Sequence, residues 1–245
     1  MAAGFAKGAA FFIALCILLS TSLSAALAQE EAPVFPLPED AIRHFVSALT
    51  ENDLQKALQA CAVKEYAQGY DFVGTVDRYK TFIPIQQMAP SEYELFAQMN
   101  EYISAYFIVS QMKMMIYSFF VPEVREEKPM YIGKNFHDVE GFAQAVDPSK
   151  LNQLKLLRID PPTPYIWKDE KNAALFQKQA ELNGAQELTE RIALYELDGM
   201  TYLGGFSLFR YGDGWKIQRL HSILAGTSTT GAVEEIAPEV YVSLL

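Results

Sequence analysis

Residues 191–224 read RIALYELDGMTYLGGFSLFRYGDGWKIQRLHSIL, and this stretch decides the fold. Asp198-Gly199 separates two apolar runs, Arg191 to Leu197 and Met200 to Tyr211. Both turn residues tolerate positive φ, so the pair predicts a two-residue hairpin. Gly212-Asp213-Gly214 then turns the chain into a third run, Trp215 to Leu224. Three antiparallel strands follow from these two turns. Gly204-Gly205 inside the middle run predicts a bulge or sharp bend, as in a strongly curved sheet.

Upstream, the periodicity is helical. Apolar residues fall at 41, 42, 45, 46 and 49, which predicts a helix over Asp40 to Leu49. The polar turn Thr50-Glu51-Asn52 leads into a second helix, Asp53 to about Ala62. Residues 65–89 mix tyrosines with glycines and a proline and read as a loop with a short helix or strand. Ser91-Glu92-Tyr93-Glu94 has the capping-box spacing and opens the longest helix. That helix runs to about Phe120, and Pro122 stops it. In its first half Met99, Ile103, Tyr106 and Phe107 are expected inward and Gln98, Glu101 and Ser104 outward. Its second half is apolar on both sides, so it is expected between two layers. Gln111 and Lys113 at the middle of the apolar run argue against a membrane span. A short helix over Asp138 to Val146, a strand over Leu154 to Ile159 and a helix over Asp169 to Leu182 complete the pattern. Asp160-Pro161-Pro162-Thr163-Pro164 breaks the chain, and Gly184 is a stop signal.

The first 28 residues read as a secretory signal peptide. Lys7 supplies the positive end, Phe11 to Leu19 the apolar core, and Ala26-Leu27-Ala28 the small-x-small cleavage site. Residues 29–38 are acidic and proline-bearing and read as a linker, residues 39–225 as a single domain, and residues 226–245 as a loosely ordered tail. The expected localisation is therefore secreted or extracytoplasmic.

Composition narrows the partners. The net charge is −10, so no basic footprint for nucleic acid is present. An anionic membrane surface would repel the chain, and no stable insertion is expected after cleavage. Cys16 leaves with the signal segment, and Cys61 remains alone, so no internal disulfide is expected. Cys61 is expected on the apolar face of the second helix as a buried, inert thiol.

Two segments carry a family resemblance. Residues 41–54 (AIRHFVSALTENDL) are similar to the opening helix pair of the nuclear-transport-factor-2-like superfamily, and Gly212 to Ile217 to its late hairpin. The C-terminal half also looks like uncharacterised exported bacterial proteins of this type. The resemblance implies a cone: N-terminal helices packed into a curved antiparallel sheet. The long third helix and the helical segment between Asp138 and Leu182 depart from that pattern. The superfamily hosts isomerases, dehydratases and binding modules, so the fold alone does not assign a function. The expected fold class is α+β, with N-terminal helices on a curved antiparallel sheet formed mainly by the C-terminal third.

The long helix offers a lane of chemistry. Tyr102, Tyr106, Ser110, Lys113 and Tyr117 are spaced by three or four residues and share one face. Facing a cone interior, they would line a pocket in which Lys113 binds an anion; as core residues, the tyrosines keep wet tips and Lys113 snorkels out. Ser110-x-x-Lys113 lacks the companion elements of penicillin-recognising enzymes. Arg219 and His221 share a strand face, and Arg219 joins the ligand-binding candidates. As a proton carrier His221 needs a carboxylate, for which Asp71 is the candidate; otherwise it is a structural histidine. His44 is expected at a helix rim. His137, Asp138 and Glu140 are too close in sequence to enclose a metal by themselves, and no cofactor motif is present.

The expectation is an exported, acidic binding or interaction module whose partner is a small molecule or an extracytoplasmic protein. One alternative is a cone-fold enzyme doing acid–base chemistry with His221 and the helix tyrosines. Another is a purely structural domain of the cell envelope. A titratable pair converging in one cavity would favour the enzyme.

Overall fold

The computed structural model describes residues 33–127, 129–162 and 169–237. Residues 1–32, on which the expected signal segment falls, residue 128, residues 163–168 and residues 238–245 lie outside them. Every element described falls within the unit Val34–Leu245.

Helix α1 spans Pro38–Thr50, with a proline in its first turn and Glu39 and Asp40 beside it. The proline has no amide to waste there, and the carboxylates suit the positive helix end. Ala41, Ile42, Phe45, Val46, Ala48 and Leu49 form its buried stripe. Asn52, at φ 56°, turns the chain. The Asp53 carboxylate then accepts from the Lys56 amide at 2.9 Å and starts α2, Leu54–Gln59.

Cys61 lies beyond that helix, in a β-bridge with Ile217. It is buried, its thiol donates to the Ala57 carbonyl, and burial pushes its pKa up to about 12. Residues 65–89 are more helical than their glycines suggest. They contain most of α3 (Lys64–Gly69) and all of α4 (Phe72–Tyr79).

The long helix α5 spans Glu94–Phe120. Its expected capping box does not form: Tyr93 is the N-cap, and the Ser91 hydroxyl donates to the Tyr70 carbonyl instead. Two short helices follow, α6 (Pro122–Arg125) and α7 (Val139–Ala145), then a 3₁₀ turn, Pro148–Gln153. Strand β1 spans Lys155–Asp160 and α8 spans Glu170–Glu181.

The sheet is antiparallel, in the order β1-β2-β3-β4, with β2 at Glu187–Leu197, β3 at Met200–Tyr211 and β4 at Gly214–Arg219. Asp198 and Gly199 both have positive φ, at 51° and 77°, as the hairpin requires. A fifth strand, β5 (Glu234–Glu235), pairs with Tyr202 and Leu203 of β3. The fold is thus α+β; β1 falls where a strand was expected over Leu154 to Ile159, and β5 is the addition.

Gly204 and Gly205 do not form a bulge. They continue the ladder opposite Ala193 and Ile192. The irregularity falls instead between Ser207 and Leu208, where Gln218 is the extra residue of β4. Gly205 serves a close approach: a Cβ there would sit 2.3 Å from the Ser222 amide nitrogen and from Thr227 Oγ1.

Helix α1 and the second half of α5 pack on the sheet face formed by Ala193, Tyr195, Phe206, Leu208 and Ile217. The opposite face is also covered. Phe176 and Ala180 of α8 meet Leu188 and Phe209, and Ala225 and Ile236 meet Ile192, Leu194 and Leu203. The segment from 227 to 236 is therefore not a loose attachment. Val233 is core, and its amide donates to Ser118 Oγ at 2.9 Å.

Helix α5 corrects the largest expectation. Its buried face carries Asn100, Ser104, Ile108, Gln111, Met115 and Ser118. Three of these polar residues hold the backbone of other segments. Asn100 makes two hydrogen bonds to Ala89, Gln111 donates to the Thr229 carbonyl and accepts from the Leu220 amide, and Ser118 accepts from Val233. The tyrosine lane is offset from this stripe by two residues, about 200° around the axis, so it points outward. Tyr102 is 81% exposed and Tyr106 69%, and Met99 is exposed as well. Among the described residues, no helix is long and apolar enough to cross a membrane.

Candidate functional site

The residues singled out from the sequence do not meet in one cavity. They are divided among three. Tyr102 and Tyr106 border an open concavity with Ile85 and Phe107. Lys113 and Tyr117 line an apolar cavity beneath α1 and α2. Arg219 lines a third, with tyrosines from α3 and α4. Ser110 lines none of these three.

The Arg219 cavity has the most chemistry. It measures about 310 Å³ and is lined by Tyr66, Tyr70, Thr75, Tyr79, Gln86, Gln87, Met88, Phe107, Gln179, Leu182, Asn183 and Arg219. Five elements and the loop at Gln86 to Met88 build it. The end of β4 supplies Arg219, α5 supplies Phe107, α3 and α4 supply the tyrosines, and the end of α8 supplies Gln179 and Asn183. The α3 and α8 ends meet at two glycines. A Cβ on Gly184, whose φ is +66°, would sit 2.6 Å from Gly69 Cα. No larger residue permits that approach.

The Arg219 guanidinium lies against two rings, with its carbon 5.1 Å from the Phe107 centroid and 6.0 Å from that of Tyr66. Such cation–π contacts favour a cation but do not neutralise it. Its hydrogen bond to the Gln218 carbonyl, at 3.3 Å, does not neutralise it either. No carboxylate pairs with it among the described residues. Burial lowers its pKa from the usual arginine value, and burial likewise raises that of Tyr66. A half-buried cation without an anion gives up part of its hydration uncompensated, and that cost favours an incoming anion.

Much of the polar lining is already engaged. The Tyr79 hydroxyl donates to Gln179 Oε1 at 3.1 Å, and Asn183 donates to the Gln179 carbonyl at 2.6 Å. Gln87 accepts from the Ile83 amide and donates to the Thr81 carbonyl. These bonds fix the walls and leave the guanidinium as the charged group facing the space.

The expected His221–Asp71 pair does not form. Asp71 is exposed and caps α4, accepting from the Gly74 amide at 2.8 Å. His221 is half-buried, and its Nδ1 is buried without a hydrogen-bond partner. Burial, and then the nearby Arg219 charge, lowers its pKa. His44 Nε2 donates to the Lys56 carbonyl, 3.1 Å away, and the ring packs on Phe35. His137 contacts the Lys134 carbonyl, and Asp138 caps α7. Among the described residues, no three His, Cys, Asp or Glu side chains are grouped as a metal would require.

Sequence reasoning missed Tyr66, Tyr70 and Tyr79. Their density between residues 65 and 89 was visible, but the two short helices that aim them were not. It also missed Glu190, which no motif marks.

The class defined by this architecture is a helix-covered antiparallel sheet. A crystal structure described as a cystatin-like protein from Ruminococcus gnavus ATCC 29149 shares it, with a TM-score of 0.52 and 25% identity. The match covers 82% of this chain and 44% of that one, so this chain spans less than half of its neighbour's length. No family model matches the chain, and no curated protein matches it.

Proposed function

We propose that this chain is a binding module that holds a small organic anion at Arg219. The observation that carries this reading is the half-buried guanidinium, set against Phe107 and Tyr66 with no carboxylate partner among the described residues. The aromatic walls suit a planar apolar body, and the guanidinium suits a carboxylate or phosphate. The catalytic alternative has less behind it, because Asp71 caps a helix and the charge acting on His221 is cationic. The likeness to a cystatin-like protein fits an α+β binding scaffold and the cone-fold resemblance of residues 41–54 and 212–217. Export through the segment 1–28, an extracytoplasmic location and the single-domain reading of 39–225 belong to the same proposal.

Calorimetric titration with benzoate, phenyl phosphate and phenol tests it. Benzoate or phenyl phosphate should bind and phenol should not, and Arg219→Met should remove the binding. Equal binding of phenol, or undiminished anion binding by Arg219→Met, would overturn the reading.

A further inference from the structure

A second cavity, independent of Arg219, lies between α1, α2, α5 and the 3₁₀ turn. It measures about 470 Å³. Its walls are Ala48, Leu49, Leu54, Val109, Met112, Ile116, Val146, Pro148 and Leu151, with Asn52, Asp53, Lys113 and Tyr117 as its polar members.

The polar members are not equivalent. Asp53 is turned to the start of α2, where its carboxylate accepts from the Lys56 amide. The Tyr117 ring is held edge-on against Phe142 at 5.2 Å. Lys113 is exposed and makes no ion pair among the described residues. The cavity is thus an apolar chamber with one uncommitted cation. Apolar walls need an apolar body, and an ammonium group needs an anion.

We propose that this cavity is a second ligand site, and that it takes a medium-chain aliphatic carboxylate with its chain among Leu49, Met112, Ile116 and Leu151 and its head at Lys113. The aliphatic chain distinguishes it from the Arg219 cavity, whose walls are polar and aromatic. The four-methylene stem of Lys113 carries its charge out over the cavity edge, where a carboxylate keeps part of its hydration. Such a head is held weakly and the chain supplies most of the affinity.

Titration of the purified full chain with hexanoate, octanoate and decanoate, each below its micelle concentration, is the test. Each added methylene should lower Kd by roughly fourfold, the equivalent of about 0.8 kcal/mol per buried CH₂. Lys113→Met should weaken decanoate and leave decanol unchanged. Val109→Trp, which fills the chamber, should remove both. Saturating benzoate should not displace decanoate, so failure of the Arg219 reading and failure of this one are separable. Affinity independent of chain length would overturn the proposal, and that measurement needs no variant. Displacement by benzoate, or equal weakening of decanol and decanoate by Lys113→Met, would also overturn it.

Discussion

The buried carboxylate of Glu190, on β2, accepts a hydrogen bond from Ser222 Oγ at 2.6 Å. It also accepts from the amides of Ile223 and Leu224, at 3.2 and 3.0 Å. Glu190 is 1% exposed, and no cation pairs with it among the described residues. Its carboxyl oxygens are satisfied by hydrogen-bond donors alone. The Ser222 hydroxyl in turn accepts from the Ala225 amide, and the Ser222 amide donates to Thr227. One side chain thus ties the loop after β4 back onto the sheet.

Removing that carboxylate strands several donors at once. Hydrogen bonds to a charged group contribute about 1.5–3 kcal/mol each, and buried donors left unpaired are costly. Glu190→Ala should therefore destabilise the fold by roughly 3 kcal/mol or more, read as a lower urea midpoint. A midpoint unchanged within error would show that the loop holds without Glu190.

The same loop makes Gly205 irreplaceable. A methyl group there would overlap the Ser222 amide and the Thr227 hydroxyl, both 2.3 Å from an ideal Cβ. Backbone must move to admit it, and overpacking of this kind costs about 1–3 kcal/mol. Gly205→Ala should lower the melting temperature beyond the effect of Gly204→Ala, whose Cβ would meet side chains alone, at 3.1 Å or more. Equal effects at the two sites would refute the close approach.

Tyr195 presents the opposite case. Its ring is buried in the main core, edge-on to Phe119 at 5.7 Å, yet its hydroxyl has no hydrogen-bond partner. Burial pushes its ionisation well above the ordinary tyrosine range. A buried unsatisfied hydroxyl is a net cost, and its removal leaves the ring packing in place. Tyr195→Phe should match or exceed the parent in denaturant resistance. A loss of about 1 kcal/mol or more would mean that the hydroxyl is satisfied.

The local code was legible where one residue dictates the backbone. Asp198-Gly199 gave the hairpin, Asp53 marked a helix start, and Gly184 marked a stop, because each acts through its own φ or its own side chain. The inward face of α5 was not legible. Hydrophobicity places Met99 and Tyr106 inside, but the helix buries Asn100, Gln111 and Ser118 to satisfy the backbone of residues 89, 220, 229 and 233. Those partners lie as far as 118 residues away. No periodicity within the helix records them. Strand β5 escaped notice for a similar reason: two glutamates pair with β3 through backbone alone. For the candidate site, Arg219 was visible as a charge on a strand, but its cavity depends on the Gly69–Gly184 contact between distant helices.

His221 has a lowered pKa because it is partly buried and lies near the positive charge of Arg219. No acidic group contributes to this shift. Protonation in the unfolded chain begins near the ordinary value of about 6.5. The folded protein takes up that proton only at lower pH, so the unfolded state binds more protons in between. The contribution of His221 to stability is therefore full above about pH 6.5 and is lost as pH falls through its lowered folded value. Urea midpoints measured from about pH 7.5 down to about 5 should fall less steeply for His221→Gln than for the parent. Parallel curves would show that His221 titrates alike in both states and is not held neutral by its surroundings. Because Arg219 is one source of the shift, Arg219→Met should also raise the His221 pKa, followed by its imidazole proton resonances. An unchanged His221 titration in Arg219→Met would remove the electrostatic link between the two residues and leave burial as the whole cause.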